Sequence, residues 1–64
     1  MTLGQQLKDF RKKRKMSQVY LSKLSGVSQS TIWRAEHDKE IKSYTLEALL
    51  ASMKAKILII DKDL

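Results

Sequence analysis

The segment MSQVYLSKLSGVSQSTIWRAE, residues 16–36, holds two short apolar patterns that are separated by Gly26 and several small residues. Each pattern is too short to form a stable helix by itself in water. Ser17 and Ser28 precede the two patterns and are suitable N-cap residues. Gly26 suits the end of the first helix, because left-handed backbone costs glycine little. We therefore expect two short helices that are joined by a tight turn and stabilise each other by packing together.

Helical periodicity along the chain predicts helices over residues 2 to about 14, 18–25, 29–36 and from Ser43 or Thr45 onward. Thr2 is a suitable N-cap for the first helix. The expected inward-facing residues are Leu3, Leu7 and Phe10 in the first helix, Leu21 and Leu24 in the second, Ile32 and Ala35 in the third, and Leu46, Leu49, Leu50 and Met53 in the fourth. Residues 56–60, KILII, are apolar and β-branched after a Lys, and they predict a short C-terminal strand.

Length and composition limit the ways in which this chain can be stabilised. The 64 residues permit one small domain with a modest core. There is no Cys and only one His, so disulfides are excluded and a metal site is not expected. Small domains usually need an additional source of stability, such as disulfides, a bound metal or a partner subunit. Oligomerisation is the source that remains for this chain. We therefore expect no cofactor, no metal, and pairing with a second copy.

Basic residues are concentrated at the end of the first predicted helix. The net charge is +6, and Lys8, Arg11, Lys12, Lys13, Arg14 and Lys15 lie close together. Cations favour a helix C-terminus through the helix dipole, so this block can be a solvated helix end. It can also be an electrostatic footprint for phosphate groups. The charge count alone leaves both interpretations open.

Motifs for catalysis and for membrane insertion are missing from the sequence. No serine lies in a GxSxG pattern, and there is no Gly-rich phosphate loop, so we do not expect an enzyme. The apolar run at residues 57–60 is far too short to span a bilayer. The first ten residues do not have the pattern of a signal peptide. We therefore expect a cytoplasmic protein without a membrane partner.

The two short helices and their turn resemble the Cro/CI-type (lambda-repressor-like, XRE) helix-turn-helix family. The matching positions are Gln18, Leu21, Ser22, Gly26, Val27, Ser28, Ser30, Thr31, Ile32, Arg34 and Glu36. The likeness extends from about Leu3 to Met53. It implies an all-α bundle of about four to five short helices over residues 1–55. It also implies a regulator of transcription that binds double-stranded DNA, and thereby an association with the nucleoid.

The resemblance assigns roles to individual residues. The third helix would enter the major groove, while the second helix would contact a phosphate at its start. The residues expected to contact DNA are Gln18, Ser28, Gln29, Ser30, Thr31, Trp33 and Arg34, with Lys12, Lys13 and Arg14 beside the phosphates. Arg11 would pair with Glu36 and tie the first helix to the third. The residues support this pair independently, because Arg11 lies on the apolar face and Glu36 follows Ile32 by four.

Several of these positions have alternative interpretations. Trp33 lies off the inner face that Ile32 and Ala35 define, so it can face DNA or a partner, or its ring can fold down as packing. Arg34 can bind a phosphate, a guanine or a neighbouring acid. Gln29, in this position, can bond N6 and N7 of adenine together, a pairing worth about 1–3 kcal/mol of discrimination.

The end of the third helix departs from the usual pattern of the family. Asp38 stands where a glycine is common, and Asp tolerates left-handed backbone less well than Gly, so the turn can differ. His37, next to it, is interpreted as a polar residue at the end of the helix. Ser22 replaces a common alanine and is small enough for the close approach of the two short helices.

The tail MKAKILIIDKDL, residues 53–64, resembles the end of kinase-partner antitoxins. In that arrangement Ile57, Leu58, Ile59 and Ile60 would pair as a strand with the same segment of a second copy. The prediction is a homodimeric repressor on a palindromic operator. The alternative is an antitoxin that also binds a toxin protein. The KILII segment can instead be the end of the fourth helix.

Overall fold

The computed structural model describes the backbone of residues 2–62 and the side chains of residues 2–53. Over this range the chain forms the helices α1 (Leu3–Lys13), α2 (Gln18–Ser25), α3 (Gln29–Glu36) and α4 (Ser43–Lys62). The first three follow the predicted boundaries closely, and the fourth begins at one of its two predicted starts. The predicted all-α class is therefore confirmed.

Hydroxyl side chains begin each of the first three helices. The hydroxyls of Thr2, Ser17 and Ser28 accept hydrogen bonds from backbone N–H groups in the first turns of α1, α2 and α3. These bonds satisfy donors that have no acceptor inside the helix. Gly26 ends α2 at φ 77°, in the left-handed region. The predicted caps and the predicted glycine turn are confirmed.

A left-handed residue that is not glycine ends α1. Lys15 has a φ of 56°. Its N–H donates to the carbonyl of Lys12 at 2.9 Å, and the N–H of Met16 donates to the carbonyl of Arg11 at 3.2 Å. This pair of bonds is a Schellman motif. The motif turns the chain back onto the domain and buries Met16, which the helical pattern does not identify as a core residue.

The core lies where the four helices meet. Its buried members are Leu7, Met16, Leu21, Ile32, Ala35, Leu49 and Met53. Two predicted core residues are instead on the surface, since Leu3 is 58% exposed and Leu24 is 45% exposed. Leu24 is displaced from Leu21 by about 60° around the helix axis, and an eight-residue helix buries only a narrow stripe. Leu3 stands in the first turn of α1, at the edge of the bundle.

The start of α1 lies directly against the end of α3. A Cβ added to Gly4 would lie 2.7 Å from the carbonyl oxygens of Ala35 and Glu36. Both atoms belong to the backbone, so neither can move aside like the tip of a flexible side chain. A glycine at position 4 therefore permits the close contact between the two helices.

The C-terminal segment is a correction to the sequence prediction. Residues 56–60 are helical within α4, where the sequence predicts a strand. A helix satisfies its N–H and C=O groups internally, whereas a strand of one chain needs a partner for its ladder. The side chains of Ile57, Leu58, Ile59 and Ile60 lie outside the described residues, as do their predicted dimer contacts. Within the described part of the chain, no helix is both long and apolar enough to cross a membrane.

Candidate nucleic-acid interface

The third helix divides its residues between the core and the surface. Ile32, Ala35 and Glu36 are buried. The exposed residues of α3 and its C-cap are Gln29, Ser30, Trp33, Arg34 and His37. Their spacing repeats every three to four positions, so they lie along one side of the helix. This outward face holds four of the residues predicted to contact DNA, namely Gln29, Ser30, Trp33 and Arg34.

Ser28 and Thr31 stand at the N-terminus of this face and bond to each other. The Ser28 hydroxyl accepts from the Thr31 N–H at 3.3 Å and lies 2.7 Å from the Thr31 hydroxyl. It also lies 3.3 Å from the Ser30 hydroxyl. The N–H groups of the first helical residues point toward the surface and carry the positive end of the helix dipole. This end of α3 is therefore suited to an anionic or acceptor-rich surface.

The predicted ion pair is present beneath the outward face. The guanidinium of Arg11 donates from Nε to Glu36 Oε2 at 2.6 Å and from its second terminal nitrogen to Oε1 at 3.0 Å. Its first terminal nitrogen donates to the carbonyl of Met16 at 2.7 Å. The side chains are 8% and 0% exposed, so little water screens the pair. It fixes the end of α1 against the end of α3.

Gln18 joins α2 to the same carboxylate. Its side-chain amide donates from Nε2 to Glu36 Oε1 at 3.1 Å. An amide nitrogen has a second hydrogen, so Gln18 retains one donor for a phosphate. Glu36 thus receives donors from α1 and α2 while it stands on α3. The contact of Gln18 with DNA stays a prediction.

The three predicted phosphate-binding cations differ in their surroundings. Lys12 is exposed, and Lys13 is exposed beside Asp9, with an Nζ–Oδ2 distance of 3.2 Å. Arg14 is half-buried, because its guanidinium carbon lies 3.3 Å from the centre of the Phe10 ring. It also donates to the carbonyl of Phe10 at 2.8 Å. Lys12 and Lys13 are therefore better placed than Arg14 to meet a phosphate without rearrangement.

Trp33 is on the surface, which answers one of the alternatives raised by the sequence. The residue is 46% exposed, so it is not a core residue. The indole stacks on the imidazole of His37, with ring centroids 3.9 Å apart and planes inclined by 17°. The sequence reasoning missed this pair, although an aromatic residue four positions before a histidine on a helix is a readable signal.

Arg34 organises the loop that follows α3. A terminal nitrogen of its guanidinium donates to the carbonyl of Glu40 at 3.1 Å. Arg34 thus contacts a neighbouring acid, Glu40, through the backbone carbonyl of that residue. The side chain is exposed, and the remaining N–H groups of the guanidinium are suited to a phosphate or a guanine.

Asp38 explains how the chain manages without glycine after α3. It adopts φ 57°, and its carboxylate reaches back to α1. Oδ1 accepts from the N–H of Gly4 at 2.8 Å, and Oδ2 accepts from the Thr2 hydroxyl at 2.6 Å. The hydrogen bond from Thr2, then that from Gly4 and the nearby His37, lower the pKa of Asp38 below its usual 3.8. The turn has a left-handed residue, and the side chain adds a cap for α1.

These groups can bind, but they form no reaction centre among the described residues. The outward face carries amide, hydroxyl and guanidinium groups and an aromatic pair, which suit hydrogen bonding and stacking. No three His, Cys, Asp or Glu side chains in the described part of the chain come together as a metal site.

Comparison with known proteins agrees with this geometry. A family model described as helix-turn-helix matches residues 7–57, which cover α1 from Leu7 onward, the whole of α2 and α3, and most of α4. No curated protein and no solved structure matches the chain. The matched range includes both partners of the ion pair and the whole outward face of α3.

We predict that Glu36→Ala lowers the free energy of unfolding by about 3–5 kcal/mol, because Arg11 then remains buried without its partner. Chemical denaturation followed by circular dichroism measures the change. The matched control is Glu47→Ala, which removes an exposed carboxylate on α4 and should cost less than about 0.5 kcal/mol. Equal losses in the two variants would contradict a structural role for the pair.

We also predict an acid-dependent contribution from Asp38. Its pKa is lower in the folded state, so its stabilising effect is present above pH 3.8 and is lost as the pH falls through the folded-state value. Asp38→Asn tolerates the left-handed backbone but lacks the charge. The stability difference between wild type and Asp38→Asn should shrink steadily in melts below pH 3.8. A difference that stays constant down to strongly acidic pH would rule out a stabilising role for the ionised Asp38 carboxylate.

Proposed function

This chain belongs to the Cro/CI-type helix-turn-helix family and is a DNA-binding regulator of transcription, and we propose that it represses transcription as a homodimer on a palindromic operator. The observation that carries the proposal is the outward face of α3. Its residues are exposed, while the rest of the helix is fixed to α1 and α2 through Glu36. A helix held in this way can enter a major groove about 12 Å wide without first having to be ordered.

Base reading is assigned to the N-terminal half of the outward face. In helix-turn-helix proteins the first residues of the recognition helix contact base edges. Gln29 is the first residue of α3 and is exposed. Its amide can pair with N6 and N7 of an adenine, and Ser30 can donate to or accept from an adjacent base. Trp33, farther along α3, would contact a thymine methyl or the sugar–phosphate backbone.

Backbone anchoring is assigned to the first helix and the start of the second. Lys12 and Lys13 are exposed at the end of α1, which the Arg11–Glu36 pair holds against α3. The part of α1 that carries them is thus fixed relative to the outward face of α3. Gln18 adds an N–H at the start of α2. The net charge of +6 supports a large phosphate term in the binding free energy.

We infer dimerisation from the short length of α3, the helix that would contact the bases. An eight-residue helix is about 12 Å long and covers roughly three to four base pairs, which is too short a site for specific regulation. Two copies related by a two-fold axis double the site and require a palindrome. We place the contact between copies at the C-terminal part of α4, which is apolar in sequence at residues 57–60. Strand pairing is not part of this proposal.

The antitoxin alternative rests on a different kind of evidence. It depends on the likeness of the tail to kinase-partner antitoxins, in which the tail pairs as a strand. Because the backbone of residues 56–60 is helical, no feature of the described residues favours that function over simple repression. The toxin partner remains a prediction from the sequence.

Selection of bound sequences from a random DNA pool tests the proposed function. We expect an inverted repeat whose half-sites are centred about 34–36 Å apart, one helical turn of DNA. Sedimentation of the bound complex should show two chains of 7.4 kDa on each site. A selected site without two-fold symmetry, bound by one chain, would overturn the dimeric repressor but not DNA binding.

Two alanine variants separate base reading from phosphate anchoring. Gln29→Ala should lose roughly 1–3 kcal/mol per half-site on the selected operator and almost nothing on random DNA. Lys12→Ala should weaken both DNAs alike and reduce the slope of log K against log salt by about 0.9 per half-site. Equal losses on both DNAs for Gln29→Ala would show that this residue does not read sequence.

A further inference from the structure

Trp33 and His37 form one aromatic unit at the C-terminal end of the outward face. The rings are nearly parallel and 3.9 Å apart, and both residues are exposed. Gln29 precedes Trp33 by four residues, so these three side chains follow a single stripe along α3. If Gln29 meets base edges, the same stripe brings His37 to the border of the groove, where the sugar–phosphate backbone lies.

A hydrogen bond determines which imidazole nitrogen carries the proton. His37 Nδ1 lies 2.8 Å from the carbonyl oxygen of Trp33. A carbonyl oxygen only accepts, so Nδ1 must be the donor. In the neutral ring, Nε2 then has a lone pair and can only accept a hydrogen bond. Protonation of the ring changes Nε2 into a donor and adds a positive charge, while the bond at Nδ1 is unchanged.

Charged groups of both signs lie near the imidazole in the chain. Asp38 follows directly, and its carboxylate is attracted to His37. Lys39 stands next in the chain and is exposed. Arg34 donates to the backbone of Glu40 in the same loop. From α1, the groups at the Asp38 carboxylate are a hydroxyl and a backbone N–H, neither of which carries a charge.

We propose that His37 is a further DNA-contacting residue, whose Nε2 donates to a backbone phosphate when the ring is protonated and loses that contact when the ring is neutral. The inference rests on the proposed function, because it needs α3 in a major groove. A phosphate is the expected partner because His37 caps the C-terminal end of α3, away from the residues that reach base edges. The lone pair of the neutral ring cannot bond to a phosphate oxygen, which is itself only an acceptor.

The expected effect follows from counterion release. One additional neutralised phosphate contributes about 0.9 to the slope of log K against log salt. At about 0.15 M salt this corresponds to roughly a fivefold gain in affinity per half-site. The operator affinity should therefore be higher, and its salt dependence steeper, when the ring is protonated than when it is neutral.

The experiment compares wild type with His37→Phe on the selected operator, between about pH 8 and pH 5.5 at constant ionic strength. Phenylalanine retains a flat ring beside Trp33 but has neither Nε2 nor a charge. We expect wild type to gain roughly fivefold per half-site at the acid end and His37→Phe to stay level. At the alkaline end the two proteins should bind within about twofold of each other, because neutral His37 makes no phosphate contact.

Nuclear magnetic resonance gives a readout that does not depend on affinity. The chain has one histidine, so its imidazole signals need no assignment. The nitrogen shifts of the free protein should show the proton on Nδ1 at alkaline pH. On addition of operator, the titration of the ring should move to higher pH, since the phosphate stabilises the cation.

The outcomes separate this inference from the proposed function. If both proteins bind the operator with the same pH dependence, or if the ring titration is unmoved by DNA, the role of His37 is overturned and repression stands. If His37→Phe loses as much affinity at pH 8 as at pH 5.5, the contact is one of packing, and the protonation-dependent donor is overturned. Wild type that binds no DNA at any pH overturns the proposed function itself.

Discussion

The buried carboxylate of Glu36 is the constraint on which the rest of the structure depends. A negative charge at the C-terminus of a helix is unfavourable, and a buried charge without a partner is far more so. Glu36 therefore requires Arg11 from α1 and Gln18 from α2, which donate to it at 2.6–3.1 Å. Satisfying one carboxylate in this way fixes three short helices relative to each other. None of them could hold its orientation from an eight- or eleven-residue length alone.

A second set of contacts joins the turn after α3 to the start of α1. Asp38 accepts hydrogen bonds from the Thr2 hydroxyl and the Gly4 N–H, while the absence of a side chain at Gly4 lets the two backbones meet. The Arg11–Glu36 pair joins the C-terminal end of α1 to α3, and the Asp38 contacts join the N-terminal end of α1 to the turn after α3. Because α1 also carries the exposed Lys12 and Lys13, the contacts that join α1 to α3 also fix the helix that bears these lysines relative to the outward face.

Local signals made much of this fold predictable, and long-range contacts account for what the sequence did not reveal. Hydroxyl caps, Gly26 and the apolar period set the helix boundaries, because each acts within a few residues. The reach of Asp38 back to Gly4 spans 34 positions and has no sequence pattern. The left-handed turn at Lys15 buries Met16, and because Lys rarely adopts this backbone conformation, the sequence does not indicate the turn. At residues 56–60, β-branched composition indicated a strand, although strand preference depends on a partner that composition cannot supply.

The two roles of α3 are assigned to different residues, and this separation limits what each substitution can change. Ile32, Ala35 and Glu36 hold the helix, whereas the exposed positions between them carry no part of the core. Trp33 can therefore stand on the outward face without displacing a core residue. Its ring stacks on the imidazole of His37, which is also exposed. The exposed residues of α3 can thus change the shape of the outward face while the buried residues keep the helix in place.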